Sequence, residues 1–165
     1  MQKKILLVGD FGVGKSSLVE RYVNDRFSEE YKSTIGVVIQ KKTVEIEGQS
    51  INLLIWDVAG SREIADVPSS YYLGSSGILY VFDISRPETW AGLPQRLAIV
   101  REKAKYSSDS DRVMVIANKS DLCKAEDIKE VLSRVSIKVD VVTSAKDSLN
   151  VDSAFAELAR RVLAG

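Results

Sequence analysis

Eight residues near the amino terminus, Gly9 to Ser16 (G-D-F-G-V-G-K-S), match the pattern G-x-x-x-x-G-K-[ST] without a mismatch, and no other segment narrows the possible folds so far. The apolar run Ile5, Leu6, Leu7, Val8 comes just before it, and Ser16 to Asn24 reads as helix, so a strand enters the loop and a helix leaves it. Glycines let such a loop curl until several backbone N–H groups point inward, and the helix start adds partial positive charge at the same spot. Lys15 supplies a point charge for outer phosphates, and the Ser16 hydroxyl is free to bind a magnesium ion. An ordinary glycine-rich turn leaves the Lys-Ser pair in this setting without a reason. The chain should therefore hold a nucleoside di- or triphosphate.

Length and charge agree with a compact protein of one domain spanning residues 1–165, enough chain to bury roughly 70% of the surface its unfolded form exposes. Charged residues make up 28% and balance to zero, so there is no basic surplus to attract nucleic acid or an anionic membrane. The single cysteine, Cys123, cannot form an internal disulfide and suits a reducing compartment. No apolar stretch approaches the ~20 residues that span a bilayer, and no signal-peptide pattern precedes the first strand. A cytoplasmic location is expected, with membrane recruitment only through partners or a tail outside this sequence. Val162 to Gly165 carry no cysteine, so no prenyl anchor is expected on these residues.

Apolar runs alternate with helical patterns along the chain, which predicts an α/β fold with helices on both faces of a mostly parallel sheet. Strands are read at Lys3–Val8, Val37–Glu45, Ser50–Asp57, Gly77–Asp83, Arg112–Asn118 and Lys138–Thr143. Glu47-Gly48 makes a hairpin of the second and third, hence one antiparallel pair. Five helices are expected, at Ser16–Asn24, within Arg62–Leu73, at Glu88–Tyr106 with its start delayed by Gly92 and Pro94, at Ala125–Arg134 and at Val151–Ala164.

Open sheets of this kind gather ligands beyond the carboxyl ends of their strands. Three further motifs fall there: Trp56-Asp57-Val58-Ala59-Gly60, Asn118-Lys119-Ser120-Asp121 and Thr143-Ser144-Ala145-Lys146. The second selects the base. The Asp121 carboxylate can accept from the ring N–H and exocyclic amino group of guanine, a donor pair that adenine lacks, and unpaired buried groups against the wrong base give discrimination of roughly 10⁴ or more. Asn118 would reach the other edge of the base and tie loops together, while the stem of Lys119 could cover a ring face.

With these motifs in place, the chain resembles the Ras superfamily of small GTP-binding proteins nearly end to end, and looks most like its Rab branch. Leu53-Leu54-Ile55-Trp56-Asp57, Tyr71-Tyr72-Leu73-Gly74, the Gly77 to Ser85 strand and Thr34-Ile35-Gly36-Val37 carry the likeness. Val38-Ile39 replaces an acidic-aromatic pair, and Ile64-Ala65-Asp66-Val67 departs from an aromatic-basic stretch. The resemblance implies a P-loop G domain that binds GTP and GDP with Mg²⁺. It assigns phosphate contacts to Asp10, Phe11, Gly12, Val13, Gly14, Lys15, Ser16 and Ser17, and base contacts to Phe27, Asn118, Lys119, Asp121, Leu122, Ser144, Ala145 and Lys146. Ser16, Thr34 and Asp57 would serve the metal, Asp57 through a water. Tyr31 would close over the third phosphate, and the Gly60 N–H would meet it. Lys15, Thr34, Gly60 and Ser61 would surround the hydrolysed bond.

Loss of the third phosphate would release Thr34 and Gly60, so residues 28 to 38 and 58 to 70 should act as the moving segments. An exchange factor, an activating protein and effectors would read them on a monomer, with Ile35, Val37, Ile39, Trp56 and Tyr71 as the candidate partner patch. Two residues depart from the family where turnover is decided. Ser61 stands where relatives place a water-orienting glutamine, and Phe11 where they place glycine or serine. Three readings therefore stay open: a slow GTPase switch, a GTP-loaded binding module with almost no turnover, and a P-loop small-molecule phosphotransferase.

Overall fold

The computed structural model of the chain describes residues 1–30, 33–60 and 64–165. Six strands form one sheet: β1 (Gln2–Val8), β2 (Val37–Ile46), β3 (Gln49–Val58), β4 (Gly77–Asp83), β5 (Val113–Asn118) and β6 (Val141–Val142). Their order is β2-β3-β1-β4-β5-β6, with β2 antiparallel to β3 and every other pairing parallel. Glu47 and Gly48, at φ 52° and 77°, turn the β2–β3 hairpin with the left-handed pair that matches strand twist. The α/β class, the six strands and the one antiparallel pair are those expected.

Burial on both faces explains the near-continuous apolar strands. In β1, Ile5 and Leu7 join a core with α1 (Lys15–Asn24) and α5 (Val151–Ala164). Leu6 and Val8 face the other core, where α3 (Leu93–Ala104) supplies Leu93, Leu97 and Val100 and α4 (Ala125–Arg134) packs partly buried residues. Val151, Ala154, Phe155, Leu158, Ala159 and Val162 lay one buried stripe along α5 at helical spacing. Phe155 stacks on Tyr22 of α1 with ring centroids 4.0 Å apart.

Three element boundaries differ from the sequence reading, each for a local reason. The helix expected from Glu88 begins only at Leu93: Pro87–Thr89 form a 3-10 turn, and Gly92 takes a left-handed φ of 66° that cannot continue a helix. Its carboxyl end closes at Lys105, also left-handed, where the Tyr106 N–H donates to the Arg101 carbonyl at 2.9 Å. Within the segment expected to hold a helix, Ile64–Asp66 make a 3-10 turn and Ser69–Tyr72 a single turn, α2, because extended Pro68 lies between them. Arg62 lies outside the described residues. The last strand shrinks to Val141–Val142 since the Asp140 carboxylate accepts the Val115 N–H at 2.8 Å.

Candidate nucleotide site

The loops that leave β1, β3, β5 and β6 come together at one edge of the sheet, as do the motifs they carry. The β1–α1 loop is held from several sides. At Gly14, φ is 101°, and an added Cβ would lie 2.4 Å from the Asn118 amide nitrogen, so only glycine lets the two loops touch. Asn118 uses that contact: its Nδ2 donates to the Val13 carbonyl at 3.0 Å, while its Oδ1 accepts from the Thr143 hydroxyl at 2.9 Å. One buried amide therefore fastens the loops after β1, β5 and β6.

Lys15 is buried, and its ammonium donates to the Gly9 and Asp10 carbonyls at 3.0 Å each. Burial pushes its pKa down to about 8, against the pull of the Asp57 and Asp10 carboxylates. A cation held among carbonyls in this way is matched to an incoming polyanion. Beside it, three oxygens converge. Ser16 Oγ and Thr34 Oγ1 are 2.6 Å apart, Ser16 Oγ donates to Asp57 Oδ2, and Thr34 Oγ1 lies 3.4 Å from the same oxygen. Asp57 is buried, and its Oδ1 has no partner among the described residues. Burial raises its pKa, while Ser16, Lys15 and Thr34 pull the other way.

Two hydroxyls and one buried carboxylate, itself with an unpaired oxygen, fit a small hard cation that keeps water and phosphate oxygens as its other ligands. Among the described residues no cluster of three or more His, Cys, Asp or Glu offers an all-protein cage. Such a magnesium ion would be held by Ser16, Thr34 and Asp57, and it would neutralise phosphate charge.

Gly60 approaches the phosphate loop from the opposite side. A Cβ there would fall 2.5 Å from Phe11 Cα, which leaves no room for a side chain. Phe11 itself is 50% exposed. Ser61 and Tyr31 lie outside the described residues.

Beyond the ends of β5 and β6, Asp121 Oδ1 accepts from the Ser144 hydroxyl at 2.7 Å, which fixes the carboxylate. Lys119 sends its ammonium to the Gly12 carbonyl at 2.7 Å and to buried Asp83 at 3.4 Å, so its stem runs between the phosphate loop and the β5 loop. Ala145 is buried, Phe27 is half-buried against the α1–α5 core, and Lys146 pairs with Glu29 at 2.7 Å. Leu122 remains 59% exposed on a 3-10 turn.

Several supporting residues escaped the sequence reading. Arg21 on α1 donates to the Ala145 carbonyl at 2.8 Å and to that of Lys146 at 3.0 Å. Arg96 on α3 pairs with Asp10 at 2.9 Å. Only Asp83 left a trace in the sequence, as a carboxylate closing an otherwise apolar strand.

Comparison with known proteins places these features in context. The model of the Ras family matches residues 4–164. GTP-binding protein ypt1 of Schizosaccharomyces pombe is 37% identical over 164 residues, an alignment covering 96% of this chain and 79% of that protein.

Proposed function

The chain belongs to the Ras family, and from that premise we propose that it works as a Rab-like switch in membrane trafficking, a single G domain over residues 1–165 whose turnover is slow. As a Ras-family protein it binds GTP and GDP with Mg²⁺ and hydrolyses GTP, and such proteins work with exchange factors, activating proteins and effectors. The convergence of Ser16, Thr34 and Asp57 is the observation that carries the switch reading. Thr34 belongs to the segment between α1 and β2, so its hold on the metal ties that segment to the state of the nucleotide. Lys15 and the inward N–H groups bind the phosphates, Asp121 and Asn118 select guanine, and the Gly60 N–H meets the third phosphate.

Ile35 is 89% exposed, and Ile39 is paired with Trp56 across the β2–β3 hairpin, with the Tyr71 ring 6.5 Å from that of Trp56. This apolar surface beside the moving segment is our candidate for effector docking. No helix among the described residues is long and apolar enough to cross a membrane. We place the protein in the cytoplasm, brought to membranes by its partners. Nothing in the fold favours a binding module without turnover or a phosphotransferase.

Ser61 is too short to orient the attacking water as a glutamine would, and the half-exposed Phe11 stands where relatives place glycine or serine, a ring large enough to crowd the third phosphate. Unassisted hydrolysis should therefore run at or below the order of 10⁻⁴ per second. The test is to identify the nucleotide that co-purifies and follow one turnover with and without magnesium. Bound GDP and slow, magnesium-dependent decay of reloaded GTP are expected. Fast decay without an activator contradicts the slow-turnover reading, and bound GTP that never decays contradicts the switch.

A further inference from the structure

Three successive carbonyls of the phosphate loop are each held from outside by a different side chain. Phe11 O accepts from Arg86 Nη1 at 3.0 Å, Gly12 O from the Lys119 ammonium at 2.7 Å and Val13 O from Asn118 Nδ2 at 3.0 Å. A planar trans peptide sends its C=O and the next residue's N–H in opposite directions. Holding these carbonyls outward therefore turns the N–H groups of Gly12, Val13 and Gly14 inward. The interior is marked by the Asp10 carbonyl, where the Val13 N–H arrives at 3.4 Å and the Lys15 ammonium at 3.0 Å.

Asn118 and Lys119 come from the motif that reads the base, whereas Arg86 comes from the β4–α3 connection, which no motif marks. Its backbone is well anchored. The Arg86 N–H donates to Asp83 O at 3.1 Å, and the Arg86 carbonyl accepts from the Thr89 N–H at 2.9 Å and the Thr89 hydroxyl at 2.8 Å. Arg86 also precedes Pro87 in extended conformation, as the proline ring favours. Glu88 takes the Nε edge of the guanidinium at 3.2 Å, which aims the Nη1 edge at the loop. On the other side, Gly60 abuts Phe11 Cα and the Asp10–Phe11 peptide, so the backbone at Phe11 is flanked by Gly60 and by Arg86.

We infer that Arg86 is a positioning residue for nucleotide binding: it holds the Phe11 carbonyl outward and so presents the Gly12 N–H to the phosphates of the bound nucleotide. The inference rests on the guanine-nucleotide reading of the site. Arg86 acts on the phosphate end alone, so its removal should weaken every nucleotide with the same phosphates by one common factor, whatever the base. Loss of one charge-assisted bond at a partly exposed site should speed release about fivefold.

The experiment measures release of fluorescently labelled GDP and IDP from the wild type, R86A, R86Q and R86K, together with the ³¹P resonance of the β-phosphate of bound GDP. The outcome expected is release about fivefold faster for both nucleotides in R86A and R86Q, an unchanged GDP to IDP ratio, a shifted β-phosphate resonance, and partial recovery in R86K, which keeps a charged donor. Wild-type release rates with an unmoved resonance in R86A and R86Q would overturn the inference, as would a change confined to one base. A wild-type protein that binds neither nucleotide would instead remove the reading on which it rests.

Discussion

Lys15 concentrates the electrostatics of the site in one side chain. Its pKa is about 8 in the folded chain against 10.5 for an ordinary lysine, because burial costs the charged form more than Asp57 and Asp10 return. Between those values the unfolded chain binds more protons than the folded one. The contribution of Lys15 to the stability of the nucleotide-free protein therefore rises as pH climbs from 8 and levels off above 10.5. Phosphate reverses this balance by favouring the ammonium, so binding just above pH 8 should take up protons and weaken as pH rises. Calorimetry of GDP binding in buffers of different ionisation enthalpy reads the uptake directly. A heat independent of buffer would show that Lys15 is already fully charged before binding.

Among the elements, the β2–β3 hairpin and the connection before it are the ones that join nucleotide state to partner choice in the proposed switch. Thr34 sits beside Ser16 and Asp57, one residue before exposed Ile35, and Ile39 meets Trp56 across the hairpin. Trp56 serves two purposes: it packs partly against the α3 core, while the Lys4 ammonium lies 3.7 Å from its ring centroid on the other face. Replacing Ile35 with alanine should abolish capture of a GTP-dependent partner while leaving nucleotide affinity unchanged, and Trp56→Ala should do the same with some loss of stability. Pull-down against a panel of candidate effectors, paired with nucleotide titration, checks this. Undiminished capture by Ile35→Ala would place the docking surface elsewhere.

The same elements show what a sequence can and cannot disclose. β4 and β5 were readable because burial on both faces leaves unbroken apolar runs, and the hairpin because Glu47-Gly48 is a turn pair. The late start of α3 was half visible in Gly92 and Pro94, but its extent was not. The short β6 depends on Asp140, 25 residues from the Val115 amide that it caps. In the site, residues within contiguous motifs were legible. Arg21, Arg86 and Arg96 were not, because each acts on backbone or carboxylate 75 or more residues away and reads in the sequence as a solvated charge.

For the whole molecule, the sheet order decides the arrangement. With β1 between β3 and β4, and β5 and β6 following outward, the β1–α1 loop lies between the end of β3, which carries Asp57, and the ends of β5 and β6, which carry the proposed base contacts. Asn118 then ties the β1–α1 loop to the loops after β5 and β6, and Ser144 fixes the Asp121 carboxylate, to which we assign discrimination of the base. In the proposed site, affinity for phosphates and choice of purine are thus properties of one connected structure. Titration calorimetry of the nucleotide-free protein with GDP, GTP and ATP in magnesium is the decisive measurement. Tight binding of both guanine nucleotides is expected, with ATP weaker by roughly 10⁴ or more. ATP bound as tightly as GTP would contradict the proposed choice of purine.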